Sequence, residues 1–220
     1  LKGSQRAFKP AWEDFAACFE RRRLQCLKHF TALENLPSIA RPPRRKGQAK
    51  GVAPGLYSRR RLDEQGIVPH RLHGWGGKGR ALQDYICLSF SLPAGMIRAE
   101  AAPPAVLLID PEVIFWEGTC FCRTNSASRH ISAEEIFASA DLAAFESLFR
   151  GSYGDRLRYR QAEVLVRDHI PLEEVRAIVL PHSPEGQDAA RRLEAAKWRR
   201  WLRGRWSFPP VRYGSWQSLL

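Results

Sequence analysis

Glu163 is the side chain whose setting points most directly to chemistry. It opens the apolar run Val164-Leu165-Val166 and follows a stretch rich in glycine, tyrosine and arginine, Gly151 to Arg160. A carboxylate at the head of a strand can hold a hydroxyl, stabilise a developing positive charge or take up a proton. The same placement suits a strand-edge carboxylate paired to a neighbouring arginine, and spacing alone favours that structural role. The chain has no GxSxG, HExxH or Walker loop. Its five cysteines, Cys18, Cys26, Cys87, Cys120 and Cys122, form no CxxC pair and have no histidine at metal-like spacing. Reduced thiols are expected, and no metal.

The charge balance names a class of partner. Lysine and arginine number 35 against 23 acids, a formal net charge of +12, which favours a polyanion because such side chains neutralise phosphates and release counterions. The excess is regional. Arg41 to Arg80 holds eleven basic residues against Asp63 and Glu64, whereas from Ala101 to Arg150 the acids outnumber Arg123, Arg129 and Arg150. With 44% hydrophobic residues the chain can bury a real core, which excludes a disordered polyelectrolyte. No apolar run reaches the roughly 18–20 residues that span a bilayer. The segment Leu1 to Arg23 is charged and aromatic, unlike a signal peptide. A cytoplasmic monomer without membrane association is expected.

The elements that must position Glu163 can be read from periodicity and punctuation. Helical spacing of Phe15, Phe19 and Leu24 predicts an amphipathic helix within Pro10 to Leu27. Thr31 stands where an N-cap would, with Glu34 at capping-box spacing, ahead of a short helical turn through Ile39. Arg41 to Arg80 is rich in proline, glycine and arginine, includes Gly74-Trp75-Gly76-Gly77, and is too long for an inert connection. Strands are predicted at Asp84 to Phe90, Ala105 to Asp110, Val113 to Trp116, Ala162 to Val166 and Val175 to Leu180. In the first of these, Ile86, Leu88 and Phe90 share one buried face. Ser132 to Phe149 and Glu185 to Leu202 read as helices, and the tail beyond carries Trp206, Tyr213 and Trp216. Strands and helices without regular βαβ alternation indicate an α+β fold.

Taken together, these segments resemble the DarT family of DNA ADP-ribosyltransferase toxins over about Gln25 to Pro181. The likeness is carried by His29 followed by Asn35-Leu36-Pro37, and by Asp84-Tyr85-Ile86-Cys87-Leu88-Ser89-Phe90 with Met96 beyond. It is also carried by Cys120-Phe121-Cys122-Arg123-Thr124-Asn125-Ser126-Ala127. The most specific block is Arg158-Tyr159-Arg160-Gln161-Ala162-Glu163-Val164-Leu165-Val166. The resemblance implies an ADP-ribosyltransferase-like split mixed β-sheet with flanking helices, NAD held in its cleft as co-substrate, and transfer of ADP-ribose to a base in single-stranded DNA. Three regions follow: a helical extension at 1–24, the transferase domain at 25–182, and a basic, aromatic helix and tail at 183–220.

By the same matching, Glu163 is the catalytic carboxylate. His29, Thr31 and Asn35 contact NAD, and Gly55, Leu56 and Ser58 enter the loop that covers it. Arg59, Arg60, Arg61, Arg71 and Arg80 are equal candidates to clamp the pyrophosphate, since guanidinium forks match phosphate oxygens. The loop before Glu163 offers Tyr153, Arg156, Arg158, Tyr159 and Arg160 to nucleic acid, aromatic rings for stacking on unpaired bases and arginines for phosphates. Relatives acting on thymine place an arginine shortly after the phenylalanine of the second block; Phe90 to Met96 has none. Guanine is therefore favoured over thymine. The resemblance further implies a macrodomain-type antitoxin that removes ADP-ribose. RNA or protein as the acceptor, and a non-catalytic nucleic-acid-binding module, are the competing readings.

Overall fold

The computed structural model describes residues 6–40, 54–58, 82–91, 104–126, 128, 131–149, 161–201 and 209–214. Nine strands and five helices lie within them: β1 (Leu27–Thr31), β2 (Gly55–Tyr57), β3 (Tyr85–Ser89), β4 (Ala105–Ile109), β5 (Cys120–Cys122), β6 (Glu163–Arg167), β7 (His169–Pro171), β8 (Val175–Leu180) and β9 (Val211–Tyr213), with α1 (Trp12–Arg21), α2 (Leu36–Ala40), α3 (Ala133–Ala138), α4 (Leu142–Ser147) and α5 (Pro184–Trp201). Seven strands form one sheet in the order β5-β6-β3-β1-β4-β8-β9. All its pairings are antiparallel except β8 with β9. β2 and β7 make a separate antiparallel ribbon.

The large sheet is nearly two sheets. β3 pairs with β6, and β1 with β4, along their whole lengths, but β1 and β3 meet at the single register pair Lys28↔Ser89. Period-two alternation sends Ile86, Leu88, Phe121, Val164 and Val166 into the larger core with Phe15 of α1, Phe145 of α4 and Leu193 of α5. The opposite face of β5 and β6 buries Cys120, Cys122 and Leu165 with Leu82 and Ile136 of α3. Phe145 is the aromatic hub of the larger core, its ring 5.1 Å from Phe121, 5.2 Å from Phe149 and 5.8 Å from Phe15.

Residues ahead of β1 are stitched into this sheet. Lys9 N–H donates to the Phe115 carbonyl at 2.7 Å, and Glu117 N–H to that of Ala7 at 2.8 Å. The Lys9 ammonium is buried between the rings of Phe15 and Phe121 and donates to the carbonyls of Thr119 and Ala140 at 2.6 and 2.5 Å. Burial brings its pKa down to about 8.

Several expectations need correction. Val113 to Trp116 is not a strand: Asp110 caps a 3-10 turn, Pro111–Phe115, by accepting the Glu112 N–H at 3.0 Å. An Asp-Pro start outweighs the apolar run that follows. The helix expected over Ser132 to Phe149 is two helices. Ser132 and Glu135 form a capping box at the first, and Asp141 caps the second by accepting from Ala144 N–H at 2.8 Å. Between them Phe121 N–H takes the Ser139 carbonyl at 2.7 Å, which draws the break against β5. Thr31 is no N-cap either. It ends β1, and Ala32 occupies the cap position of the 3-10 turn Leu33–Asn35 without a side-chain bond. The first helix is shorter than its periodicity, stopping where Arg23 turns left-handed at φ 52.

In the small ribbon, Gly55 has φ 147, and a Cβ there would strike the Ile170 carbonyl and the His169 ring. That ring stacks on Tyr57 at 4.2 Å, and its buried Nε2 has no hydrogen-bond partner among the described residues. Burial, with the Arg6 charge adding to it, lowers His169 to about 4.

Two outcomes follow from this packing. Phe145→Ala is expected to cost about 3–5 kcal/mol of unfolding free energy, read from the shift in urea midpoint; a loss below about 1 kcal/mol would show that the aromatic cluster is not the centre of the core. For His169 the folded ring titrates below the ordinary 6.5, so the unfolded chain binds a proton that the folded chain refuses. Its contribution is complete above about pH 6.5 and is lost as pH falls towards 4, by roughly 2 kcal/mol after allowance for partial exposure. Urea titrations of wild type and His169→Phe across that window should diverge, and parallel curves would refute the assignment.

Candidate active site at the sheet split

The only register pair joining the two halves of the large sheet, among the described residues, belongs to one row: Cys122, Glu163, Ser89 and Lys28 lie side by side on β5, β6, β3 and β1. Glu163 is therefore an interior-strand residue in the row that crosses the split, one strand away from it, not the edge carboxylate that its spacing also allowed. Its side chain is 7% exposed. A buried carboxylate needs donors or must hold its proton. Here Ser126 N–H donates to Glu163 Oε2 at 2.8 Å. Burial raises the Glu163 pKa, and the backbone and hydroxyl bonds from Ser126 oppose that rise.

Ser126 ends the segment that leaves β5, and its Oγ lies 3.5 Å from the thiol of Cys87 on β3. The Cys87 carbonyl in turn accepts from His29 Nδ1 across the split at 3.0 Å. A carbonyl can only accept, so Nδ1 carries the proton and Nε2 presents a lone pair. Burial pushes His29 below its usual pKa, more than the Cys87 bond raises it, and the ring is neutral at pH 7. His29 and Glu163 thus sit at two ends of one contact chain through Cys87 and Ser126.

The other expected ligand contacts fall into groups. Thr31 and Asn35 touch, Asn35 Nδ2 donating to Thr31 Oγ1 at 3.0 Å, so both stand at the end of β1 two and six residues beyond His29. Gly55 and Leu56 belong to β2, and Ser58 follows it, fully buried, its N–H on the Asp168 carbonyl at 2.8 Å. Leu56 lies in the larger core. Arg61 and its companions Arg59, Arg60, Arg71 and Arg80 lie outside the described residues, as do Tyr153, Arg156, Arg158, Tyr159 and Arg160. Sequence reasoning assigned no role to Ser126, Cys87, Ser89 or Cys122, although all lie in the blocks that carried the family likeness. Among the described residues no group of three histidines, cysteines or acids could hold a metal ion, and no helix is long and apolar enough to cross a membrane.

This arrangement sets a buried carboxylate against the Ser126 donors, where its remaining lone pairs can accept from a hydroxyl-bearing ligand, with a neutral imidazole linked to it through Cys87 and Ser126. Known proteins extend the picture. Residues 28–203 match the family model described as ssDNA thymidine ADP-ribosyltransferase, DarT. The fold is similar to that of Thermus sp. 2.9 DarT in complex with NAD+, with 18% identity, 87% of this chain and 96% of that chain covered, and a TM-score of 0.54. The same protein in complex with ADP-ribosylated ssDNA is 15% identical, with 96% and 98% covered and a TM-score of 0.54. No curated protein sequence matches the chain. The family match spans most of the sequence, from the second residue of β1 through β8, and includes the Glu163 row: the chain belongs to the DarT family of NAD-dependent ADP-ribosyltransferases acting on single-stranded DNA.

Proposed function

We propose that Glu163 is the carboxylate with which this chain cleaves NAD and passes ADP-ribose to a base of single-stranded DNA. The observation that carries this reading is the buried Glu163 side chain at the sheet split, held by Ser126 N–H within the family-matched region. Rupture of the bond between ribose C1 and nicotinamide sends its electron pair to nicotinamide and leaves positive charge on the sugar. Glu163 grips the adjacent ribose hydroxyl, orients the sugar and stabilises that charge, which is worth most where water is excluded. The base then bonds to C1, and its surplus proton passes to Glu163.

His29 Nε2 accepts a second ribose hydroxyl, with Thr31 and Asn35 adding polar groups at the end of β1. Gly55, Leu56 and Ser58 lead into the segment that covers NAD, and an arginine of the set Arg59, Arg60, Arg61, Arg71 and Arg80 takes the pyrophosphate. Tyr153, Arg156, Arg158, Tyr159 and Arg160 hold the strand by stacking and phosphate contact. The Thermus complexes, one with NAD+ and one with ADP-ribosylated ssDNA, support this pairing of ligands. For the accepting base, the missing arginine between Phe90 and Met96 favours guanine. A second reading, thymidine, is favoured by the description of the family model. In the cell the activity is that of a bacterial toxin, held in check by a macrodomain-type antitoxin that removes the ADP-ribose.

With labelled NAD and oligonucleotides each enriched in one base, label should enter single-stranded DNA, and mass spectrometry should place it on guanine; label on thymine decides for the second reading, and label on RNA or protein alone overturns the DNA assignment. Glu163→Gln should lower turnover by about a hundredfold or more while NAD still binds. Full activity in that variant would remove Glu163 from the reaction. Expression of the wild type should arrest bacterial growth, with relief by an ADP-ribose-removing macrodomain hydrolase, and growth without arrest would end the toxin assignment.

A further inference from the structure

One residue grips the Glu163 carboxylate with two donors. Ser126 supplies its backbone N–H at 2.8 Å and its hydroxyl as well. The hydroxyl has a second neighbour, Cys87 Sγ at 3.5 Å. Chemistry fixes the direction of these bonds. An ionised carboxylate only accepts, so the Ser126 proton goes to Glu163, and the Cys87 S–H is left to donate to Ser126 Oγ. Burial, and then the charge of Glu163, raise the Cys87 thiol well above its ordinary range, which keeps that S–H in place.

Other groups around the carboxylate do less to hold it ionised. From β5 the titratable neighbour is Cys122, directly opposite Glu163, with Cys120 two pairs further along the strand. From β3 it is Cys87, and from β1 His29, a neutral ring whose proton is used on the Cys87 carbonyl. Lys28 lies in the same row two strands away, its ammonium donating to the Phe90 carbonyl at 2.9 Å. Among the described residues, the Ser126 dipoles are therefore the groups that favour the charged carboxylate.

We propose that Ser126 is a positioning residue for ADP-ribosyl transfer, aiming the Glu163 carboxylate into the split of the sheet, and that Cys87 orients the Ser126 hydroxyl while linking it through β3 to His29. This inference rests on Glu163 as the reacting carboxylate. Two donors on one side restrict rotation of the carboxylate, so its remaining lone pairs face the sugar before NAD arrives. The S–H of Cys87 satisfies Ser126 Oγ without competing for Glu163, because a thiol is a weak donor and a poor acceptor. Contacts on two different strands make the aim of Glu163 depend on the split keeping its width.

The test compares wild type, Ser126→Ala, Ser126→Thr, Cys87→Ala and Glu163→Gln in NAD-dependent labelling of single-stranded DNA from about pH 5 to 9. Ser126→Ala should lower kcat by about ten- to a hundredfold with KM for NAD within about threefold, and move the acidic limb of the kcat profile up by roughly half a unit to one unit. The sign follows from the lost donor: the carboxylate binds its proton more tightly and must be freed at higher pH. Ser126→Thr restores the hydroxyl and should recover most of the rate. Cys87→Ala should act in the same direction by about three- to tenfold, and it carries the test if Ser126→Ala fails to fold. If Glu163→Gln is inactive while Ser126→Ala and Cys87→Ala leave both kcat and the acidic limb in place, the positioning role is overturned and the catalytic role of Glu163 stands. Should Glu163→Gln turn over like wild type, the reading beneath the inference fails instead.

Discussion

A carboxylate taken out of water at a seam between two sheet halves has to be held by donors. For Glu163 the described donors are the N–H and hydroxyl of Ser126, and much of the architecture serves to bring Ser126 there. β5 pairs with β6 so that Cys122 stands opposite Glu163, and the chain that leaves Cys122 turns back over the head of β6 within four residues. β5 is itself fixed from outside by Lys9, whose ammonium takes the carbonyls of Thr119 and Ala140. The segment ahead of the family-matched region thus supports the strand from which the chain runs on to Ser126.

The seam also explains why a buried acid is tolerated. One face of β3 and β6 is committed to the larger core through Ile86, Leu88, Val164 and Val166, which cannot be moved without exposing apolar surface. Register then obliges Glu163 to face the other side, with Ser89 and Cys122 as cross-strand neighbours. Because β1 and β3 share so little pairing, that side opens between the two halves instead of being closed by a continuous ladder. Across the split, His29 reaches β3 through the Cys87 carbonyl at 3.0 Å, so the two halves are also joined by a side-chain bond.

How much could be read in advance depended on element length. β3, β6 and β8 have five or six residues with clear apolar patterning, and their boundaries fall within a residue or two of the sequence reading. β2, β5, β7 and β9 are three-residue strands, too short for a period to declare itself; they exist because neighbours offer paired backbone groups. The apolar stretch Val113 to Phe115 misled in the opposite direction, since a local cap from Asp110 outcompeted strand pairing. The break between α3 and α4 was hidden for a related reason: Ser139 is drawn away by a bond to Phe121, eighteen positions earlier in the chain.

By itself the sequence determined the α+β class, the basic character that suits a phosphate-rich partner, and the candidacy of Glu163 and His29, because residue type, charge and short-range pattern are local properties. Tertiary structure alone decided that Glu163 is buried in the row that crosses the seam, that Thr31 ends a strand instead of capping a helix, and that Ser126 and Cys87 stand in contact beside Glu163. Those facts depend on register between segments 37 and 39 residues apart, and one residue of slip would turn every one of these side chains to the other face. Glu163 could be named from its own segment. The donors that hold it come from the segment that follows β5.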